Sequence, residues 1–176
     1  MTTSVRPRIL TVEGNIGAGK STFLGELQKR YADRDDIMFL LEPVGIWESV
    51  VDEEGKNMLE KFYDNPKKYS FAFQVLAFST RLKLIREAVE ETMKPDSPVT
   101  TIIMERSLDA DRAIFAQMLR DDGLLETCEF DIYKRIAQDA MDMFSADGIL
   151  WLTVSPELCF ERVGVRGREG ENKITL

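Results

Sequence analysis

The segment from Gly14 to Thr22 has the residue types and the spacing to hold phosphate groups. It fits the pattern GxxxxGK[ST], follows an apolar run that predicts a strand and precedes an apolar-periodic run that predicts a helix. Glycines let successive backbone N–H groups turn toward a phosphate, and the start of the helix adds positive potential. Lys20 would reach the outer phosphates, and Ser21 would offer an oxygen to magnesium. The predicted nucleotide-phosphate site is Gly14, Asn15, Ile16, Gly17, Ala18, Gly19, Lys20, Ser21 and Thr22.

Two carboxylates, Glu42 and Glu105, stand at the ends of other predicted strands. Ligands of open α/β sheets bind beyond the carboxyl ends of the strands, so both could face the phosphate site. Either one alone could equally be a solvated charge or a helix cap. The chain contains no histidine, so acid–base chemistry must use carboxylates, lysine, tyrosine or cysteine.

The elements that must position these residues are four β-rich runs separated by long helical segments. The predicted strands are 8–13, 37–41, 99–105 and 148–154. Apolar residues at three- and four-residue spacing predict a long helix over 69–94 and a second over 131–146, the latter with a stripe of Ile132, Ile136, Ala140 and Met143. This alternation predicts a parallel sheet covered by helices, in one domain over residues 1–176.

Composition excludes several classes of protein. A net charge of −8 argues against broad binding of nucleic acid or of anionic membranes, since both need a positive surface. Cys128 and Cys159 lie far apart with no CxxC pattern, so neither a zinc site nor a disulfide framework is indicated. Without an apolar run near 18 residues or the layout of a secretory signal, we expect a soluble cytoplasmic protein, with an organelle address left open.

Several groups of residues, in their order and spacing, resemble the deoxynucleoside kinase family, most of all its deoxycytidine and deoxyguanosine kinase branch. They are Glu42-Pro43-Val44-x-x-Trp47, Phe73-Gln74, Glu105-Arg106-Ser107, Asp111-Arg112 and Arg162-x-x-x-Arg166-x-Arg168. The resemblance covers about residues 8–171. It implies a three-layer P-loop kinase fold with strand order 2-3-1-4. It also implies transfer of the γ-phosphoryl group of ATP, or another nucleoside triphosphate, to the 5′-hydroxyl of a deoxynucleoside.

The resemblance also implies roles for the charged residues. Glu42 would take the proton of the 5′-hydroxyl, Arg106 would hold the 5′-oxygen and the incoming phosphoryl group, and Glu105 would complete a Mg²⁺ site with Ser21. The three arginines Arg162, Arg166 and Arg168 would form a lid over the donor phosphates. Without the resemblance, three arginines among glutamates would equally fit a solvated face.

A second set of residues would hold the nucleoside. Gln74, Ala77 and Arg81 share one face of the long predicted helix because of their spacing. By resemblance, Gln74 reads the base edge, Ala77 leaves room beside it, and Arg81 pairs with Asp111, which favours deoxycytidine or a purine deoxynucleoside over thymidine. The remaining substrate residues implied by resemblance are the aromatic walls Trp47 and Phe115 and the sugar contacts Tyr63 and Glu171.

The resemblance ends before the family does. Family members continue through another helix, a fifth strand and a loop that holds the donor base, so we expect these parts to be missing from a chain that stops at Leu176, with one sheet edge exposed. The two long helices carry more apolar surface than one sheet face needs, and as in the family we expect a homodimer through a helix bundle. Two other functions remain open: a nucleoside monophosphate kinase of the thymidylate kinase type, and a non-catalytic nucleotide-binding subunit.

Overall fold

Four parallel strands form one sheet in a computed structural model that describes residues 6–168 and 171–174. The strands are β1 (Arg8–Glu13), β2 (Ile37–Leu40), β3 (Thr101–Glu105) and β4 (Gly148–Trp151). Their order is β2-β3-β1-β4, and the three neighbouring pairs are parallel. The predicted parallel sheet and the order 2-3-1-4 are therefore confirmed.

Three strands are shorter than the sequence predicts. β2 ends at Leu40 and β4 at Trp151, and β3 begins at Thr101. Beside β4, the chain of β1 turns away at Gly14, whose φ is 151°, so Leu152 donates the last hydrogen bond of this ladder, to the Glu13 carbonyl at 2.8 Å. Thr153 and Val154 therefore have no partner strand in the described part of the chain, which a pattern of residue types alone does not reveal.

The helices begin and end as follows: α1 Lys20–Arg30, α2 Val44–Ser49, α3 Met58–Asp64, α4 Pro66–Thr92, the short α5 Leu108–Ala110, a π-helical turn Asp111–Ala116, α6 Gln117–Asp121, α7 Thr127–Met143, α8 Pro156–Arg166, and a 3₁₀ turn Glu171–Lys173. Both long predicted helices exist, but each begins earlier than expected. α4 starts at Pro66 because Asn65 accepts a hydrogen bond from the Lys68 amide. α7 starts at Thr127 because Glu126 and Glu129 form a capping box, which is unusual for Glu at the cap position.

Alternate residues of the central strands pack on opposite faces of the sheet. Ile9 and Ile102 join the large core that contains Phe78 of α4 and Tyr133 of α7, whereas Val12 and Ile103 pack with Leu24 of α1. This is the period-two alternation of a strand. The sheet thus has helices on both faces, which confirms the predicted three-layer α/β architecture.

Two apolar surfaces remain uncovered in the described part of the chain. The predicted stripe of α7 is divided: Ala140 is buried, but Ile132, Ile136 and Met143 are 48%, 45% and 64% exposed, because the inward side is instead formed by Tyr133, Ala137, Ala140 and Met141. Among the described residues, β4 has β1 as its single paired neighbour, and Trp151 is 61% exposed. No helix within residues 6–168 and 171–174 combines the length and apolarity needed to cross a membrane.

Candidate active site

A cavity of about 1360 Å³ lies at the carboxyl ends of the strands. The loop after β1, Glu42 after β2, Glu105 at the end of β3 and Leu152 after β4 all contribute to its wall. All but two of the predicted site residues line it; the exceptions are Gly14 and Asn15, whose carbonyls hold Arg106 and Lys20. Residues as far apart in the chain as Ile16 and Glu171 therefore meet around one cavity.

The loop between β1 and α1 has a backbone that only glycine tolerates at its turning points. Gly17 and Gly19 have φ values of 79° and 90°, and a Cβ on Gly17 would stand 2.2 Å from the Cys159 carbonyl oxygen. Among the described residues no side chain caps the first turn of α1, which leaves its amide groups available to an anion. The arrangement is that of a phosphate cradle.

Lys20 is held across this loop. Its Nζ donates to the Asn15 carbonyl at 2.9 Å, and the residue is buried. Burial and the nearby positive charge of Arg106 lower the pKa of Lys20 to about 8. A buried ammonium group with little contact to water is strongly stabilised by a polyanion that binds beside it.

Ser21 and Glu105 offer oxygen atoms at the edge of the loop. Ser21 Oγ donates to Glu105 Oε1 at 2.9 Å. Glu105 is 4% exposed, and its Oε2 has no hydrogen-bond partner in the described part of the chain. An unpaired buried carboxylate oxygen beside a hydroxyl fits a hard divalent cation. No cluster of three or more His, Cys, Asp or Glu suited to a metal occurs among the described residues, so water and phosphate oxygens would supply the other ligands, as Mg²⁺ favours.

The centre of the cavity wall is a chain of buried charges. Arg81 of α4, 2% exposed, donates from Nη2 to Glu42 Oε1 at 2.7 Å and contacts the Asp111 carboxylate through Nη1. Burial lowers the pKa of Arg81, but Asp111 and Glu42 raise it by more, so the guanidinium stays charged. Burial raises the pKa of the Asp111 carboxyl, and Arg81 opposes that rise. The contact between Arg81 and Glu42 was not foreseen from the sequence.

Arg106 approaches Glu42 from the other side. Its Nε lies 3.4 Å from Glu42 Oε1, its Nη1 donates to the Gly14 carbonyl at 3.1 Å, and its guanidinium carbon lies 4.6 Å from the centre of the Phe115 ring. Glu42 thus stands between two guanidinium groups while its side chain keeps 19% exposure to the cavity. A carboxylate held in this way can orient a hydroxyl group that enters the cavity.

The far end of the cavity has aromatic walls and one amide. Trp47 donates from Nε1 to Thr80 Oγ1 at 2.9 Å, and its ring meets Phe73 edge to face at 5.4 Å. Gln74 donates from Nε2 to the Asp111 carbonyl at 3.1 Å and to Tyr133 Oη at 3.3 Å. Because a carbonyl can only accept, the amide nitrogen of Gln74 must face Asp111, and Oε1 is left for a ligand. Ala77 is buried in the same wall.

The three arginines predicted to form a lid contact different parts of the structure, and Arg168 also approaches Glu48 at 3.8 Å. Arg162 lies at the phosphate loop, with Nη1 at 3.5 Å from the Ala18 carbonyl. Arg166 instead donates from Nε and Nη2 to the two oxygens of Glu171, at 3.0 and 2.6 Å, and Arg168 reaches Glu171 at 3.5 Å. Helix α8 ends at Arg166 because Gly167 takes the left-handed conformation with a φ of 62°, so Arg168 follows the helix.

Tyr63 lines the cavity close to Glu171. Burial, and then the charge of Glu171, raise the pKa of Tyr63 to about 12. Its phenol therefore keeps its proton at physiological pH and can act as a hydrogen-bond donor in the cavity that it lines.

The sequence did not predict several residues that line or support the cavity. Phe62 stacks on Phe73 at 4.7 Å and lines the cavity, and Tyr133 orients Gln74. The π-helical turn brings Asp111 and Phe115 to the same cavity, and such turns often occur at functional sites. No periodic pattern marks a π-helical turn, whereas Phe62 could have been suspected from the clustering of aromatic residues between positions 62 and 73.

Comparisons with known proteins show the family of the chain. The sequence model of the deoxynucleoside kinase family matches residues 10–176. A probable deoxycytidine kinase of fowlpox virus is 33% identical, over 95% of this chain and 65% of the viral protein. The mitochondrial deoxyguanosine kinase of Xenopus laevis is 33% identical over 95% of this chain and 67% of its own length. Human deoxycytidine kinase is 32% identical over 97% and 70%.

The chain thus spans about two thirds of the length of these relatives, 65% to 70%. The family match covers far more than half of the chain and includes the phosphate loop, the two strand-end carboxylates and the arginines of α8. The resemblance inferred from the motifs is confirmed. The sheet with helices on both faces is the P-loop kinase fold of that family. The chain belongs to the deoxynucleoside kinase family.

Proposed function

We propose that this protein transfers the γ-phosphoryl group of ATP, or of another nucleoside triphosphate, to the 5′-hydroxyl of a deoxynucleoside. The observation that carries the proposal is the position of Glu42. Its carboxylate faces the cavity between Arg81 and Arg106, and the phosphate loop lines the same cavity. Together the carboxylates of Glu42 and Asp111 balance the charges of Arg81 and Arg106, which suits an uncharged hydroxyl acceptor.

In the proposed reaction Glu42 accepts a hydrogen bond from the 5′-hydroxyl and takes its proton as the new O–P bond forms. The bond between the γ-phosphorus and its bridging oxygen breaks, and the nucleoside diphosphate leaves. Lys20 and Arg106 balance the negative charge on the phosphoryl oxygens. Phosphoryl transfer depends mainly on positioning and on charge stabilisation, which a carboxylate and two fixed cations can supply.

Mg²⁺ would be held by Ser21 and Glu105 and would neutralise the outer phosphates of the donor. The unpaired Oε2 of Glu105 supports this assignment. The phosphate loop, residues 14–22, would bind the donor phosphates through its amide groups. Arg162 adjoins that loop, while Arg166 and Arg168 would have to leave Glu171 to reach the donor.

The other end of the cavity would bind the deoxynucleoside. Trp47 and Phe115 would flank the base and sugar, and Gln74 would accept a hydrogen bond from the base edge beside Ala77. Tyr63 and Glu171 would bind the 3′-hydroxyl. The pair of Arg81 and Asp111 supports deoxycytidine or a purine deoxynucleoside over thymidine, because by resemblance thymidine-preferring relatives lack that pair.

A second copy of this chain would cover the outer face of α7. Ile132, Ile136 and Met143 are exposed there, and an exposed apolar face on one helix is what a helix-bundle dimer buries. Sedimentation of the protein and of an Ile136→Lys variant tests this: the homodimer proposal requires a dimer that the variant weakens, and a monomeric protein would contradict it. A cytoplasmic location, with no nucleic acid or membrane as partner, stays a prediction.

Transfer of radiolabelled phosphate from ATP with Mg²⁺ to each of the four deoxynucleosides tests the function. We expect transfer to deoxycytidine or a purine deoxynucleoside and little to thymidine. Deoxycytidine and thymidine monophosphates serve as parallel acceptors, and preferred phosphorylation of either would favour a nucleoside monophosphate kinase. Nucleotide binding without transfer to any acceptor would favour a non-catalytic subunit.

A further inference from the structure

Glu13 is a buried carboxylate that the proposed reaction does not use. It ends β1, is 3% exposed, and is not among the described residues that line the cavity. Burying a carboxyl group is costly unless hydrogen bonds in the structure compensate its desolvation. One of its oxygens, Oε1, accepts a hydrogen bond from the Ser107 amide at 2.7 Å.

That hydrogen bond lies directly beside the most unusual backbone conformation in the site. Arg106 has a φ of 62°, and it is the one non-glycine residue with positive φ in the described part of the chain. Residues other than glycine rarely adopt this left-handed backbone conformation, and they keep it only when the surrounding structure holds them there. The conformation therefore needs a structural cause near Arg106.

Two hydrogen bonds to the end of β1 lie on either side of the Arg106 Cα. The Arg106 amide donates to the Val12 carbonyl at 3.1 Å, and the next amide, that of Ser107, donates to Glu13 Oε1. The two bonds fix the peptide groups on both sides of the Arg106 Cα. The backbone between them has little freedom to relax to a negative φ.

The direction of the Arg106 side chain follows from this backbone. In the left-handed conformation the guanidinium reaches the Gly14 carbonyl at 3.1 Å, the Glu42 carboxylate at 3.4 Å and the Phe115 ring at 4.6 Å. A change of φ at Arg106 would swing the Cα–Cβ bond and move the guanidinium away from all three. Misplacement by about 1 Å can lower the rate of an enzyme about a hundredfold.

We infer that Glu13 is a positioning residue: from behind the cavity wall, its carboxylate holds the backbone of Arg106 in the left-handed conformation that aims the guanidinium at the reacting groups. The inference rests on the proposed function for its effect on the rate. The backbone effect itself does not depend on any reaction.

A double-mutant cycle of Glu13→Ala and Arg106→Ala tests the inference. We expect Glu13→Ala to lower kcat about 10- to 100-fold with a much smaller change in the KM for the deoxynucleoside. Glu13→Gln keeps an acceptor oxygen in the same place and should restore most of the rate. In the Arg106→Ala background, Glu13→Ala should have little further effect, because the group through which it acts is gone. If the losses of kcat in the two single variants multiply in the double variant, the inference is wrong. Phosphoryl transfer by the wild-type protein would still support the proposed function in that case.

A second variant and a measurement that needs no turnover complete the test. Should Glu13→Ala fail to fold, Glu13→Asp withdraws the oxygen by one methylene while keeping the charge, and the same loss of kcat is expected. Nuclear magnetic resonance of the Ser107 amide and the Arg106 Nε–H reads the effect without turnover. Both signals should be protected from solvent exchange in the wild type and in Glu13→Gln, and exposed in Glu13→Asp. Equal protection in all three proteins would contradict the inference.

Discussion

The two ends of the cavity are built in different ways. The phosphate end comes from one continuous segment, residues 14–22, whose backbone amides and one lysine would bind the donor phosphates. The charged end joins Glu42 after β2, Arg81 of α4, Arg106 after β3 and Asp111 of the π-helical turn. The geometry of the continuous segment is set by a short stretch of sequence. The chain of charged side chains forms only when four separate elements pack together. The two ends should therefore respond differently to substitution.

The largest expected effect is at the charged end. Glu42→Gln keeps the shape of the side chain but removes the proton acceptor, so we expect kcat to fall about 10³-fold, or roughly 4 kcal/mol, while the deoxynucleoside still binds. Steady-state kinetics together with calorimetric binding would measure both quantities. A kcat close to that of the wild type would show that Glu42 is not the proton acceptor.

Arg81→Ala should mainly break the packing of the charged end. The substitution leaves the buried Asp111 without its partner, so we expect a loss of about 3 kcal/mol in the free energy of unfolding. Arg81→Ala with Asp111→Ala is the matched control, and it should be less destabilised than Arg81→Ala alone because no unpaired charge remains. Chemical denaturation of the two proteins measures this, and equal stability would contradict it.

A single methyl group added at Gly17 should distort the phosphate end of the cavity. In Gly17→Ala the new Cβ would stand 2.2 Å from the Cys159 carbonyl oxygen at a φ of 79°, so the loop must shift by an amount that costs about 2 kcal/mol. We expect weaker binding of ATP and little change in the binding of deoxynucleoside. Gly45→Ala is the control, since nothing lies within 4 Å of a Cβ at that position. Equal losses for the two ligands would show that the ends are not independent.

The smallest expected effect concerns the sugar. Tyr63→Phe removes one hydroxyl group, and we expect about a fivefold rise in the KM for a deoxynucleoside, roughly 1 kcal/mol. The pKa of Tyr63 is raised to about 12 by burial and by Glu171. The phenol stays protonated well beyond neutrality, so this rise should be the same from about pH 6 to about pH 9. A 3′-deoxy analogue should bind both proteins equally, and a matching rise with the analogue would remove Tyr63 from the contact with the 3′-hydroxyl.

Much of the fold was readable from the sequence because its patterns are local. The four strands, the two long helices and the loop at residues 14–22 each have a period or a spacing that survives without tertiary context. Their ends were less predictable. The start of α7 depends on a capping box of two glutamates, and the end of β4 depends on where its neighbour β1 turns away. The outward face of Ile132 and Ile136 was hidden because an apolar stripe does not say which side meets the core.

By itself the sequence determined the phosphate loop and the family, since both depend on consecutive residues or on motifs in fixed order. Tertiary structure alone decided that Arg81 bridges Glu42 and Asp111, that Gln74 turns its nitrogen to the Asp111 carbonyl, and that Glu13 holds the peptide after Arg106. Each of these contacts joins residues at least 30 positions apart, the separation of Arg81 and Asp111. Which polar partner a buried side chain meets is settled by packing and by the need to satisfy every buried donor and acceptor, and no local pattern records that choice.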